Sequence, residues 1–160
     1  MAETVRGTRL HVPVQLRWGD LDAFNHVNNI AMLQVLEEAR VAAFWLPDQG
    51  EPEFPTAVLP TSAETFNLIA HQEIEYVRPV PYQREPLDVQ MWFSKIGGSS
   101  AEVCYEVHTP VGAPDDILYA RASTITVLVD RASGKPLRLP PTVRDAWSAH
   151  LGEPVHYTRR

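Results

Sequence analysis

From residue 30 to residue 46 the chain has neither glycine nor proline, and Ile30, Leu33, Leu36, Ala39, Ala43 and Leu46 recur at helical spacing. A second row, Met32, Val35, Ala42 and Trp45, is apolar as well, so Gln34, Glu37 and Glu38 remain as a narrow polar strip. Such a helix must be enclosed over most of its circumference, and Pro47 is expected to stop it. Strands supply the enclosure. Residues 11–18 alternate, with Val12, Val14, Leu16 and Trp18 on one face, and Pro13 marks them as an edge strand or one that begins late. Past a proline-rich loop over 47–61, further alternating segments cover 67–78, 87–96, 101–109 and 117–130, and Lys95-Ile-Gly-Gly-Ser-Ser100 turns one into the next as a hairpin. Successive strands with short links form an antiparallel sheet. The predicted architecture is therefore α+β, a five-stranded antiparallel sheet wrapped around one long central helix.

The 160 residues match one domain, 1–160, with a core over about 11–130 and a C-terminal extension over about 131–160. Residues 140–151 are expected to add a short helix bearing Val143, Trp147 and Leu151 at spacing four. One helix cannot cover a whole sheet, and the leftover apolar surface predicts a homodimer or a dimer of dimers. A formal net charge of −6 argues against nucleic acid or an anionic membrane as the main partner, since both need a basic excess. The first residues lack the apolar core of a signal peptide, and no run approaches the length of a membrane span, so a cytoplasmic protein is expected. Cys104 is the one cysteine, which excludes an internal disulfide and a multi-cysteine zinc site.

Several chemistries drop out on motif grounds. Gly97-Gly-Ser-Ser-Ala101 lacks the closing glycine of a nucleophile elbow, and no phosphate loop, dinucleotide fingerprint or His-Glu-x-x-His occurs. Asp20-Leu-Asp22-Ala-Phe24-Asn25 begins like a calcium loop, but Phe24 replaces an oxygen ligand and Asn25 stands where the sharp-turn glycine belongs. No metal is expected. Cys104 shares its strand face with Glu102 and Glu106, which would raise its thiol pKa and leave it inert. What remains is the polar loop before the helix, with Asp20, Asp22, Asn25, His26, Asn28 and Asn29. A helix N-terminus presents unpaired N–H groups that polarise a carbonyl, and a carboxylate beside it could attack the carbon or deprotonate a water. The plainer alternative is that Asn28 or Asn29 caps the helix and the aspartates only shape the turn.

The string Arg17-Trp-Gly-Asp20-Leu-Asp22-Ala-Phe-Asn-His26-Val-Asn28-Asn29, continuing into Leu36-Glu37-Glu38-Ala39-Arg40, resembles the signature of the hotdog-fold acyl-CoA thioesterases of the 4-hydroxybenzoyl-CoA thioesterase type. Glu75-Tyr76-Val77-Arg78-Pro79 and the turn Ile96-Gly97-Gly98-Ser99-Ser100 are similar to that family's second strand and glycine-serine turn, so the resemblance spans about 12–129. It implies the hotdog fold, an edge-to-edge dimer, and hydrolysis of an acyl-CoA thioester to free acid and coenzyme A. No cofactor is implied, coenzyme A being part of the substrate. Asp22 falls on the reactive carboxylate, Asn29 on the amide that polarises the carbonyl, and His26 and Asn28 on the residues that orient the loop. Lys95, Ser99 and Ser100 fall where coenzyme A would be held. Asn25 occupies a common glycine position, consistent with a left-handed backbone there. Met32 and Val35 stand where tyrosine is frequent, which favours an apolar or fatty acyl group. A non-catalytic acyl-CoA binding or regulatory protein on the same fold is the competing expectation, and it would not need Asp22. A hotdog enoyl-CoA hydratase ranks lower, because no Asn-Pro step lies between Asp20 and His26.

Overall fold

A computed structural model describes residues 9–158. In chain order it contains β1 (Leu10–Val14), α1 (Asn29–Phe44), β2 (Thr65–Tyr76), β3 (Leu87–Ile96), β4 (Ser100–His108), β5 (Leu118–Asp130) and α2 (Pro141–Ser148). The strands form one antiparallel sheet in the order β1-β3-β4-β5-β2. The expected sheet wrapped on a helix is what is found, with Pro13 on an edge strand, where a residue without an N–H is tolerated. Register shifts at Ile69/His71, Phe93/Lys95 and Val107/His108 mark bulges, which bend strands and help the sheet curl around α1.

The first strand is shorter than its alternation predicts. Leu16 stays buried, but Trp18 is 74% exposed in a 3-10 turn over Trp18–Asp20. The Asp20 carboxylate accepts from the Arg17 N–H (2.8 Å) and guanidinium (2.9 Å), and this local capping turns the chain before the pattern is complete. The helix likewise ends early. Trp45 leaves α1 with extended backbone (φ −93°, ψ 139°) and bridges Leu59, to whose carbonyl the Leu46 N–H donates at 2.9 Å. Sheet-like pairing with the returning loop thus competes successfully with two more helical residues. Ala31, Met32, Val35, Leu36, Ala39, Ala43 and Phe44 are buried. Ile30 is 65% and Val41 50% exposed, so in a single chain the uncovered strip is wider than Gln34, Glu37 and Glu38 alone.

The β3–β4 hairpin closes with the Gly97 N–H donating to the Ser100 carbonyl at 2.7 Å. A Cβ on Gly97 would lie 3.1 Å from Ser100 Oγ, which makes glycine the fitting residue there. The segment after β5 joins the core. Trp147 packs on Phe93 (4.8 Å between centroids) and Phe44 (5.1 Å), and its indole N–H donates to the Thr56 carbonyl at 3.0 Å. Beyond α2 the chain crosses the outer face of the sheet. The Gly152 N–H donates to the Phe93 carbonyl (2.7 Å), the Arg121 guanidinium to the His156 carbonyl (2.8 Å), and Thr158 to the Glu75 carboxylate (3.0 Å) on β2.

Candidate active site

The polar loop before α1 folds as a miniature hairpin. Leu21 bridges Val27, the Asp22 N–H donates to the His26 carbonyl (2.8 Å), and Asn25 turns the tip with φ 62°. Asn25 is the only non-glycine with positive φ among the described residues, in keeping with the left-handed position expected of it. The loop's returning side pairs with the chain leaving β2, through the Val27 N–H on the Val80 carbonyl (2.9 Å) and a His26–Pro81 bridge. Residues distant in sequence are thereby fixed side by side.

The two aspartates end in different surroundings. Asp20 is 5% exposed and bound to Arg17, while its carbonyl accepts from the Asn28 N–H at 2.8 Å and so ties the loop to the helix entry. Asp22 is half-buried. Its Oδ1 accepts from the Phe24 N–H (2.8 Å) and the His26 N–H (3.3 Å), so loop shaping is shared between both residues, and Oδ2 has no hydrogen-bond partner among the described residues. Asn28 is the N-cap, its Oδ1 accepting from the Ile30 N–H at 2.9 Å. That resolves the capping alternative in favour of Asn28. Asn29 opens the helix, and its N–H has no hydrogen-bond partner among the described residues.

Asp22, His26, Asn29 and Met32 line one cavity of about 400 Å³, closed on its other side by Tyr76 to Val80. The sequence reading assigned no role to Tyr76 and Arg78, which both line this cavity. The Tyr76 hydroxyl donates to the Asn29 carbonyl at 2.8 Å, joining the end of β2 to the first turn of α1. Partial burial pushes its phenol above the ordinary value, which keeps it a neutral donor. The available signal was an amphipathic Tyr followed by a cation just before Pro79, where a strand must end.

Other expected site residues lie elsewhere. Val35 faces a second hollow of about 480 Å³, with Arg17, Asp20, Gln34 and Glu38, so it and Met32 wall separate spaces. Lys95, Ser99 and Ser100 sit on or beside the β3–β4 hairpin, at the opposite end of the sheet from the Asp22 cavity. Cys104 is buried, and burial pushes its thiol up, with Glu102 adding to the shift and hydrogen bonding at Ser94 opposing it. A larger hollow of about 720 Å³ lies at the C-terminal end of α1, but its acids, Asp48, Glu51 and Glu53, are exposed, and size alone does not select a reactive site. The Asp22 cavity gathers a carboxylate with one free oxygen, a helix N-terminus and an apolar methionine, groups of the kind that can polarise a carbonyl and attack its carbon. No helix among the described residues is long and apolar enough to cross a membrane.

Comparison with known proteins agrees with the fold. The YsmA protein of Bacillus subtilis strain 168 is 25% identical over 147 residues, covering 91% of this chain and 84% of that protein. Among solved structures, the PA5185 protein of Pseudomonas aeruginosa superposes with a TM-score of 0.72 at 22% identity, over 94% of this chain and 97% of that one. The DHNA-CoA thioesterase of Staphylococcus aureus superposes with a TM-score of 0.69 at 16% identity, over 88% and 89%. The family model of the thioesterase-like superfamily matches residues 16–147, from just after β1 through the loop, helix and sheet to Trp147, and the chain belongs to that superfamily.

Proposed function

We propose that this protein hydrolyses the thioester of an acyl-CoA with an apolar acyl group, giving the free acid and coenzyme A. One observation carries the reading: Asp22, with one unengaged carboxylate oxygen, and Asn29, at the N-terminus of α1, line the same cavity. A thioester carbonyl seated there accepts from the Asn29 N–H, so negative charge developing on oxygen meets the positive end of the helix. The Asp22 carboxylate either removes a proton from water, whose hydroxide adds to the carbonyl carbon, or attacks that carbon itself to form an anhydride that water opens. In the first route collapse of the adduct breaks the C–S bond and the proton taken from water passes through Asp22 to the departing sulfur; in the second the sulfur leaves as thiolate when the anhydride forms and becomes the thiol with the proton released by the water that opens it, and in both the acid departs. His26 borders the reacting centre and Asn28 fixes the loop to the helix. Met32 gives the cavity an apolar wall that suits an aliphatic chain. The name of the Staphylococcus aureus relative supports a CoA thioester as the substrate class.

The working unit in this reading is a homodimer joined along β2. That strand is the long free edge of the sheet, with Leu68 47% and Ile69 39% exposed at its middle, and an unpaired edge of this kind is a template for another strand. Antiparallel self-pairing over its full length sets Thr65 of the partner subunit opposite Tyr76. The partner's hairpin end, with its Lys95, Ser99 and Ser100, is thereby carried toward the Asp22 cavity, where those residues hold coenzyme A. Pairing of two such dimers into a tetramer remains compatible with the exposed strip of α1. The test is thiol release from a panel of acyl-CoA chain lengths by the purified protein, with Asp22→Asn as control. Turnover that disappears in the variant supports the reading. Saturable CoA binding with no turnover on any chain length would transfer support to a non-catalytic acyl-CoA binding protein.

A further inference from the structure

The unpartnered Asn29 N–H takes its direction from the groups bound around it. It belongs to the peptide joining Asn28 to Asn29, and the carbonyl of that peptide accepts from the Met32 N–H at 3.0 Å. On the loop side the Asn28 N–H is tied to the Asp20 carbonyl (2.8 Å). On the sheet side the Asn29 carbonyl accepts from the Tyr76 hydroxyl at 2.8 Å. The amide and the carbonyl of Asn29 flank one α-carbon, so bonds on both sides of it fix the backbone dihedrals that set where the N–H points.

Tyr76 is itself firmly held. It closes β2 opposite Ala120, and the Val77 and Arg78 N–H groups both donate to the Tyr119 carbonyl, at 2.8 and 3.0 Å. Among the described residues no other side chain on a strand hydrogen-bonds to the first turn of α1, so this phenol is the direct polar tie between the sheet and the helix end that carries Asn29. Its ring lines the cavity with Asp22, His26 and Met32, which puts the tie at the candidate site and not in the aromatic core. With Tyr76 46% exposed in the single chain, the bond contributes little to stability. In the dimer paired along β2, Tyr76 stands at the seam opposite the partner subunit's Thr65, where exclusion of water strengthens such a bond. A donor held in place before the carbonyl arrives needs no reorganisation during the reaction, which is where a weak tie gains its effect.

We infer that Tyr76 is a positioning residue for the thioester carbonyl, its hydroxyl holding the first turn of α1 so that the Asn29 N–H meets the oxygen where negative charge develops. The inference rests on the proposed hydrolysis, which gives Asn29 that task. Tyr76→Phe removes the hydroxyl and keeps the ring, and the test compares it with the parent for kcat, KM and Tm on whichever acyl-CoA of the chain-length panel is hydrolysed fastest. A fall in kcat of about fivefold is expected, with KM within about twofold and Tm nearly unchanged, because a preorganised donor acts mainly in the transition state. The second readout is infrared difference spectroscopy of the same acyl-CoA, isotopically labelled at the thioester carbonyl carbon and bound to Asp22→Asn, which turns it over slowly enough to record. The carbonyl stretch is expected below its value in free solution, and adding Tyr76→Phe is expected to move it part of the way back. A lower Tm with kcat and the carbonyl band unchanged leaves Tyr76 a purely structural role and overturns the inference. A fall in kcat with no movement of the band overturns it too, since the loss then arises elsewhere. Hydrolysis that Asp22→Asn abolishes and Tyr76→Phe leaves at the parental rate keeps the hydrolysis reading and removes this one, whereas no turnover of any acyl-CoA by the parent removes both.

Discussion

At one end of the sheet Phe44, Phe93 and Trp147 stack at 4.8 to 5.4 Å, every one nearly inaccessible to solvent. At the other, between Arg17 and Asn29, polar side chains hold a hairpin together by hydrogen bonds to its own backbone, and Trp18, Phe24 and Ile30 are left exposed. The aromatic end is built by burial, which is large and indifferent to direction. The Asp22 end is built by directed bonds that each contribute little but fix where a carboxylate and a helix terminus stand. The contrast teaches that packing stability and the proposed reactivity are assigned to different ends of one sheet. An end that does not have to carry the fold is free to keep a positive φ at Asn25 and an unengaged carboxylate oxygen at Asp22.

Substitution at each end should therefore separate the two properties. Trp147→Ala removes two ring contacts and the bond to Thr56, and should cost about 3–5 kcal/mol in denaturant unfolding while the folded protein keeps its kcat. A loss below about 1 kcal/mol would break the comparison from the aromatic side. Asp22→Asn should lower kcat by roughly a hundredfold or more, about 2.7 kcal/mol in the barrier, with little change in Tm, because an amide oxygen still accepts from the Phe24 N–H. Near-parental turnover in this variant breaks the comparison from the other side and turns attention to His26.

Smaller effects sharpen the picture within the polar end. Asp20→Asn weakens the bonds to Arg17, and because Arg17 is exposed no buried charge is left behind, so a loss of about 1–2 kcal/mol in unfolding is expected with a lesser fall in kcat. Asn28→Ala removes the helix cap and should cost about 1 kcal/mol. Met32→Tyr should shift the chain-length profile of thiol release toward shorter acyl groups, and Val35→Tyr should not, since only Met32 lines the Asp22 cavity. Equal shifts in both variants would show that the acyl group runs through the hollow beside Val35.

The sequence by itself determined the elements that depend on local pattern. Period-2 alternation placed β2 to β5 within about two residues of their ends, helical spacing found α1 and α2, and the proline in the first strand allowed an edge or a late start, of which the edge is found. It also singled out the loop at Asp22 as a candidate site, where a dense cluster of Asp and Asn precedes an apolar helix, although capping and turn shaping explain part of that cluster. Tertiary structure decided whatever depends on a distant partner. Trp18 points out of the fold because Asp20 binds Arg17 first, and α1 stops at Phe44 because Leu59 offers Trp45 and Leu46 a strand-like partner. Met32 and Val35 open on different hollows although they are one helical turn apart, since the walls opposite them come from the exit of β2 and from the segment after β1. Tyr76 reaches Asn29 only because β2 ends against the start of α1, 47 positions earlier in the chain. Periodicity reports which face of an element is apolar, whereas what that face meets is fixed by contacts between residues far apart in sequence.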